Sequence, residues 1–180
     1  DLPQVRQRAG RIRAPGAGLI SGVKKHGLFA AMAALVLGLD QATKWAIVAH
    51  VPLFERITVV PGLFNIVHYR NPGGAFGLFA DQSGLFLAGF FICVTIGALG
   101  LILYLYAKTP PHQPVLAAGL ALVFAGALGN LADRLQHGQV VDFLDVHAGS
   151  WHWPAFNLAD SAITIGMLIF AWHVFFKKLD

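Results

Sequence analysis

The sequence predicts a membrane protein of four transmembrane helices with a small β element on one side. Three observations support this class: the composition, the length of the apolar segments and the distribution of basic residues. Apolar residues make up 56% of the 180 residues and charged residues only 12%, whereas soluble domains are about 25% charged. This composition disfavours a soluble enzyme and a disordered chain. The single cysteine, Cys93, excludes a disulfide framework and a cysteine-based zinc site.

Four segments are long and apolar enough to cross a bilayer, which takes about 20 residues. The predicted spans cover residues 27–49, 85–107, 115–132 and 158–176. The first is interrupted by Asp40 and Lys44, and the fourth carries Asp160 near its start. The third is rich in Gly and Ala, which indicates close helix packing.

The basic residues indicate the orientation of the chain. Nine of the thirteen Lys and Arg residues fall on one side of the predicted spans: Arg6, Arg8, Arg11, Arg13, Lys24, Lys25, Lys108, Lys177 and Lys178. By the positive-inside rule, both termini and the turn at Lys108 are predicted to be cytoplasmic. This topology accounts for the pI near 9.5 without a nucleic-acid partner. We expect residues 1–23 to form a disordered cytoplasmic tail and residues 24–180 to form a single membrane domain.

The two segments on the opposite side hold the remaining structural signals. Glu55–Val60 and Leu63–Tyr69 are rich in β-forming residues and flank Pro61-Gly62, which predicts a hairpin. The second segment, residues 133–157, contains Trp151 and Trp153, which suit the headgroup region of a membrane.

Inserting a charged residue into an apolar span costs about 2.5–3.5 kcal/mol on insertion scales, so each such residue is expected to have an ion-pair partner or a function. Asp40 and Lys44 are four residues apart on a helix, with the acid first, which favours an ion pair; direct contact with a substrate is the alternative. Asp160 has no basic partner in its own helix, so it is either a neutral, hydrogen-bonded group or a functional one. Four other acids are expected to reach water: Glu55, Asp81, Asp133 and Asp145.

Asp142 stands in an apolar run, Val140-Val-Asp-Phe143, shortly after the third span. The third and fourth spans are joined by a short outer connection, so Asp142 and Asp160 could meet at the membrane boundary. Asn130 and Arg134, one helical turn apart, would lie beside them. Two carboxylates that share a site hold one proton between them and can act as general acid and general base. The spacing alone does not establish the pairing.

Other sites are less well supported by the sequence. A metal site could draw on five outer residues: His137, Asp142, Asp145, His147 and His152. No helical HExxH motif, phosphate-binding loop or GxSxG nucleophile motif is present. A small ion or proton transporter would use Asp40, Lys44 and Asp160 as a path, and a non-catalytic scaffold would use them to hold helices together.

Five short motifs, in order along the chain, resemble the lipoprotein signal peptidases, the signal peptidase II family. They are Asp40-Gln-Ala-Thr-Lys44, Asn71-Pro-Gly-Gly-Ala-Phe76, Gly126-Ala-Leu-Gly-Asn-Leu-Ala-Asp-Arg134, Val140-Val-Asp-Phe143 and Phe156-Asn-Leu-Ala-Asp160. The resemblance covers residues 24–178. In the second motif Gly74 replaces an alanine of the family pattern, which adds backbone freedom to the loop.

The resemblance implies an aspartyl peptidase of the bacterial inner membrane that uses no cofactor. Its catalytic pair corresponds to Asp142 and Asp160, on the periplasmic side of the membrane. Its substrate is a prolipoprotein whose cysteine carries diacylglycerol, and it cleaves just before that cysteine. The remaining residues of the motifs have supporting roles: Asn130, Arg134 and Asn157 orient the pair and the substrate, Asn71 and Gly73 belong to a substrate-facing loop, and Asp40 and Lys44 hold the architecture. The resemblance also implies a periplasmic sheet and inhibition by cyclic peptides such as globomycin.

Overall fold

The computed structural model describes residues 17–73 and 84–176, with side chains from Lys25 onward. Within these ranges the order of elements is α1 (Ala17–His50), β1 (Arg56–Val60), β2 (Phe64–Asn71), α2 (Gly84–Lys108), α3 (Pro114–His137), β3 (Val140–Ala148), β4 (Trp151–His152) and α4 (Leu158–Phe176). All four helices are long and apolar enough to cross a membrane, as the sequence predicted. Of the predicted tail, residues 1–16 lie outside the described residues, and α1 already begins at Ala17.

Helix α3 is the central helix of the bundle. In its most apolar stretch 67% of the residues are buried, against 17–22% in the other three helices. A side chain at Gly126 would overlap the carbonyl oxygen of Ala159 in α4, and one at Gly166 of α4 would overlap the carbonyl oxygen of Gly119. Gly119 and Gly126 of α3 therefore allow its backbone to pack closely against α4, as the sequence indicated, whereas Gly129 leaves room for the side chain of Asp40.

Helix α3 extends one turn beyond the predicted end of the third span. It ends at His137, and Gly138 caps it in the left-handed conformation, with φ at 72° and its N–H donating to the carbonyl of Arg134. The prediction ended at residue 132 because Asp133 and Arg134 indicated a boundary with water. In the fold, Asp133 is instead buried beside Lys44, so the helix continues.

The predicted hairpin is present as β1 and β2, which pair in antiparallel fashion. The structure adds two strands that the sequence did not predict. β3 pairs with β2 and β4 pairs with β3, so the strands lie in the order β1-β2-β3-β4. Tyr69 lies opposite Asp142 and Asn71 opposite Val140 in this register, which brings the end of the hairpin to the acid of β3.

The sheet packs on one end of the helical bundle. Ile47 of α1 and Val51, which directly follows that helix, form a buried cluster with Val141 and Phe143 of β3. Leu158 at the start of α4 packs against this cluster. β3 is therefore held against the ends of α1 and α4, which places Asp142 near the first turn of α4.

Candidate active site

The candidate active site begins at the first turn of α4. Asn157 directly precedes the helix, and its side-chain Oδ1 accepts a hydrogen bond of 2.9 Å from the backbone N–H of Asp160. In return, Oδ2 of Asp160 accepts a bond of 3.2 Å from the backbone N–H of Asn157. This is a capping box, in which each side chain satisfies a free backbone donor of the helix terminus. The capping box holds the Asp160 carboxylate at the start of the helix.

Asp142 reaches the same place from the sheet; we call Asp142 and Asp160 the dyad. Asp142 is only 3% exposed. Its Oδ1 accepts a hydrogen bond of 2.8 Å from Nδ2 of Asn157, and its Oδ2 accepts one of 2.9 Å from Nδ2 of Asn71 at the end of β2. Both oxygens of this carboxylate are therefore held in place.

Asn130 of α3 supplies another amide donor. Its Nδ2 donates to Oδ1 of Asp160 at 2.8 Å. Each carboxylate of the dyad thus accepts two hydrogen bonds from asparagines: Asp142 from Asn71 and Asn157, and Asp160 from Asn130 and Asn157. Neutral amides orient the carboxylates without adding charge.

Burial raises the pKa of Asp142 from its ordinary value of 3.8 to about 6. The hydrogen bonds from Asn71 and Asn157 oppose this rise in the pKa, and so does the positive charge of Lys44, whereas the negative charge of Asp160 adds to it. Two neighbouring carboxylates cannot both ionise at low cost. Near pH 6 the arrangement offers one carboxyl group that accepts a proton and one that donates it, as general acid–base catalysis requires.

A buried ion cluster lies next to the dyad and is centred on Lys44. Its Nζ lies 2.9 Å from Oδ2 of Asp40 and 3.0 Å from Oδ2 of Asp133, and it donates to Oδ1 of Asn130 at 3.0 Å. Gln41 donates to both carboxylates, at 3.2 Å and 3.0 Å. The ion pair predicted between Asp40 and Lys44 is confirmed, with a second carboxylate added to it.

The ion cluster also holds the residue that precedes each member of the dyad. Oδ1 of Asp40 accepts a hydrogen bond of 2.9 Å from the backbone N–H of Ala159. Oδ2 of Asp133 accepts one of 3.0 Å from the backbone N–H of Val141. Lys44 therefore links the two backbone segments that carry the dyad.

The loop after β2 and the end of α3 meet at Phe91 of α2. A side chain at Gly73, where φ is +107°, would overlap the Phe91 ring. The guanidinium carbon of Arg134 lies 5.2 Å from the centre of that ring, and within the described residues its buried Nε has no hydrogen-bond partner. Residues 74–76 of the predicted loop motif lie outside the described residues.

A cavity of about 400 Å³ lies beside Asp160. Its walls are Trp153 and Phe156 before α4, and Ser161, Thr164 and Ile165 on the exposed side of that helix. It therefore offers a mostly apolar path along α4 that ends at a carboxylate of the dyad.

A family model for signal peptidase II, Peptidase A8, matches residues 32–176. The chain belongs to the signal peptidase II family. The lipoprotein signal peptidase of Desulforapulum autotrophicum is 52% identical over 145 residues, covering 81% of this chain and 90% of that protein. That of Syntrophus aciditrophicus is 51% identical over 153 residues, covering 85% and 95%.

Solved structures of bacterial membrane enzymes share the fold of this chain. One described as a bacterial membrane enzyme, determined by the in meso method at 1.9 Å resolution, has a TM-score of 0.75 at 32% identity, covering 84% of this chain and 95% of that one. The chain is thus a peptidase of a family of multi-pass membrane proteins. Membership of this family disfavours the transporter and scaffold hypotheses.

Two acids that the sequence placed in water are buried, so those predictions were wrong. Asp133 is 3% exposed and belongs to the ion cluster, and Asp145 is also 3% exposed. Asn65 and His152 each contact the Asp145 carboxylate at 2.7 Å. Burial favours the neutral form of Asp145, but these two hydrogen bonds outweigh it and lower its pKa. The error arose because β3 was not predicted, so Asp145 was assigned to a hydrated loop.

The residues considered for a metal site are divided between two places. Asp142 belongs to the dyad, whereas Asp145 bonds to His152, whose ring stacks on His147 at 4.6 Å. Across residues 25–73 and 84–176, no group of three His, Cys, Asp or Glu side chains is arranged to hold a metal ion.

Two further local patterns in the sequence mark residues of the site. Asn157-x-x-Asp160 in front of an apolar run is the pattern of a capping box. Asp133 follows Asn130 by three residues and therefore lies on the same helix face. Gln41 and Phe91, by contrast, have no local pattern that predicts their place in the site.

Proposed function

We propose that this chain removes the signal peptide from diacylglyceryl-modified bacterial prolipoproteins by cleaving before the lipidated cysteine. The observation that carries the proposal is the connection of Asp142 and Asp160 through Asn157 in a chain of the signal peptidase II family. The relatives from Desulforapulum and Syntrophus are named lipoprotein signal peptidases, and the prolipoprotein substrate is taken over from that name.

In the proposed reaction, the ionised carboxylate of the dyad accepts a proton from a water molecule as the water oxygen attacks the scissile carbonyl carbon. The protonated carboxyl group donates its proton to the carbonyl oxygen. When the tetrahedral gem-diol intermediate collapses, the C–N bond breaks and the leaving nitrogen receives the proton that the base had taken. As the carbonyl group re-forms, a hydroxyl of the intermediate returns a proton to the other carboxylate, which restores the acid. The dyad is then ready for another cycle, and neither a metal nor a cofactor is needed. The pH dependence of cleavage should therefore show two apparent pKa values, which belong to the pair of carboxylates as a whole and not to either residue alone.

The polar groups around the dyad have a positioning role in this proposal. Asn130 and Asn157 fix the carboxylate oxygens, so the two groups face one site with little reorganisation. Asp40 and Lys44 hold the backbone on either side, and Asp133 acts with them. The Lys44 ammonium balances one of the two carboxylate charges, and the hydrogen bonds from Gln41 to both carboxylates further stabilise the buried cluster.

The substrate is proposed to lie between the loop after β2 and the exposed side of α4. Asn71 and Gly73 bring the loop backbone to the dyad. Nε of Arg134, which no described residue binds, is available to donate to a carbonyl of the substrate. The cavity beside Asp160 has the apolar character that a signal peptide or an acyl chain in the membrane requires.

We further propose the orientation that the basic residues predict. Both termini, with the tail of residues 1–23, lie in the cytoplasm, and the sheet and dyad face the periplasmic side of the inner membrane, with residues 24–180 as one membrane domain. Membrane lipids surround the helices. A cyclic peptide such as globomycin is expected to inhibit by occupying the dyad site.

The test is cleavage of a synthetic peptide that carries a diacylglyceryl cysteine, by the full chain in detergent. Cleavage on the amino side of that cysteine, with none of the unlipidated peptide, is the expected result. Cleavage elsewhere, or equal cleavage of the unlipidated peptide, would contradict the substrate assignment. Loss of activity with a strong chelator would contradict the metal-free mechanism.

A further inference from the structure

A second cavity, of about 270 Å³, lies at the opposite end of the bundle from the dyad. It is enclosed by the end of α2, the start of α3 and the last turns of α4, and its lining includes Lys108, Gln113 and His173. His173 follows Asp160 by thirteen residues of α4, which amounts to about 20 Å along a helix. The cavity is therefore separate from the proposed peptidase site.

Two polar side chains that line this cavity have atoms without partners in the part of the chain that the structure describes. Nε2 of His173 and Oε1 of Gln113 are both buried and make no hydrogen bond. His173 is 5% exposed. Buried polar atoms in folded proteins are nearly always hydrogen-bonded, so these two indicate a ligand that supplies both an acceptor and a donor.

The charge at this end of the bundle is positive. The exposed Lys108 stands at the edge of the cavity. Nζ of Lys25 donates to the carbonyl oxygens of Tyr106 and Thr109 at 2.8 Å and 2.6 Å, and Thr109 lines the same cavity. The remaining wall is apolar, with Leu116, Leu120 and Phe170. A cationic edge above an apolar wall between membrane helices is the type of site that binds anionic lipid headgroups.

We propose that this cavity binds the headgroup of an anionic glycerophospholipid, with phosphatidylglycerol as the best match. The phosphate accepts hydrogen bonds from the Lys108 ammonium and from His173 as its Nε2–H tautomer. A hydroxyl of the glycerol headgroup donates to Oε1 of Gln113, and the first part of an acyl chain lies against the apolar wall. Phosphatidylcholine offers no such hydroxyl and carries no net charge, so it matches the cavity less well.

The experiment is thermal unfolding of the full chain in detergent, titrated with dioleoylphosphatidylglycerol or with dioleoylphosphatidylcholine. A ligand that binds only the folded state raises the apparent Tm as its concentration rises. We expect phosphatidylglycerol to raise it at lower concentrations than phosphatidylcholine. Glycerol 1-phosphate is a third arm, and we expect it to be without effect because it lacks the acyl chains.

Lys108→Gln and Gln113→Leu should each weaken the apparent affinity for phosphatidylglycerol by about tenfold, the effect of losing one hydrogen bond to a charged or buried group. His173→Leu should do the same, and each variant is compared with its own lipid-free Tm, so a change in intrinsic stability does not confuse the result. Arg56→Gln, which removes an exposed cation from β1, is the matched control and should leave the affinity unchanged.

Three results would overturn the proposal: equal effects of the two lipids, an affinity unchanged in Lys108→Gln and Gln113→Leu, or a shift with glycerol 1-phosphate as large as with the lipid. These variants lie far from the dyad, so we expect them to keep cleaving the lipidated peptide. The proposal therefore stands or falls independently of the peptidase assignment.

Discussion

Asn157 and Asp160 cap the start of α4 reciprocally, through hydrogen bonds of 2.9 Å and 3.2 Å. The same Asn157 side chain donates to Asp142 at 2.8 Å. The group that begins the fourth helix thus also sets the position of one dyad carboxylate relative to the other. The capping contacts join residues only three positions apart, so they form together with the first turn of the helix and orient Asp160. The position of Asp142, by contrast, depends on the sheet.

The dyad assignment predicts the effect of neutral substitutions. Asp142→Asn and Asp160→Asn keep the shape of each side chain but remove the shared proton chemistry, so cleavage of the lipidated peptide should fall by about 10²–10⁴-fold. Asp145→Asn is the matched control, since Asp145 is equally buried on the same strand but contacts Asn65 and His152. Normal turnover by either dyad variant would contradict the assignment.

The raised pKa of Asp142 predicts a pH-dependent stability. Because the folded state favours the neutral carboxyl group, this contribution is fully present below about pH 4 and is lost as the pH rises through about 6. A shift from 3.8 to about 6 corresponds to about 3 kcal/mol. The apparent Tm of the wild type relative to Asp142→Asn should therefore fall between about pH 4 and about pH 7.5. If the difference in Tm between the wild type and Asp142→Asn did not change with pH, burial would not raise the pKa of Asp142 in the folded state.

Asn71 is predicted to set the alkaline limb of the activity profile. Its hydrogen bond to Asp142 stabilises the ionised form and lowers the pKa. Asn71→Leu should therefore shift the alkaline limb of the bell-shaped kcat/KM profile to higher pH. The control is Asn65→Leu on the same strand, whose amide bonds to Asp145 instead. A shift of equal size in both variants would mean that the effect is not specific to the dyad.

The ion cluster predicts a large cost for removing its central cation. Lys44→Met leaves the buried carboxylates of Asp40 and Asp133 without this counter-charge, which should destabilise the fold by about 3–5 kcal/mol. Thermal unfolding in detergent measures the loss. Combining Lys44→Met with Asp40→Asn and Asp133→Asn should restore most of the Tm, and failure to do so would show that the loss comes from packing and not from charge.

The contact between α3 and α4 predicts a glycine whose replacement affects activity. Gly126→Ala forces the Ala159 carbonyl to move, and with it the neighbouring Asp160, so both Tm and kcat should fall. A substitution that overpacks a buried contact costs about 1–3 kcal/mol. Gly97→Ala in α2 is the control, because no other part of the chain within the described residues comes within 4 Å of the added Cβ. This substitution should be neutral or stabilising. Equal behaviour of the two variants would contradict the close-packing interpretation.

Much of the architecture follows from local properties of the chain. The four spans and the hairpin of β1 and β2 depend on apolar length, β-forming residues and a Pro-Gly turn, all of which are visible in a short window of sequence. The Asp40–Lys44 ion pair is likewise predictable from a short window of sequence, because a spacing of four residues on a helix brings the two side chains together. The motifs shared with the signal peptidase II family likewise mark Asp142 and Asp160 from the sequence alone.

The burial of the other acids near the site could not be predicted from local sequence patterns. Asp133 and Asp145 have the same ionisable group as Glu55, and only their partners, Lys44 for the first and Asn65 and His152 for the second, make their burial possible. Most of those partners are distant along the chain, since 80 residues separate Asn65 from Asp145, so no local pattern connects them.

The sequence by itself thus determined that the chain lies in a membrane and how many times it crosses it, because both depend on composition and on the length of apolar segments. It also identified the two candidate catalytic acids, because they lie in short motifs that occur in a fixed order. The tertiary structure alone decided that β3 joins the sheet, that Asn157 connects the dyad and that Lys44 links the segments on either side. The physical reason is that a buried polar group is stable only when a distant partner meets it, and the fold determines which partners meet.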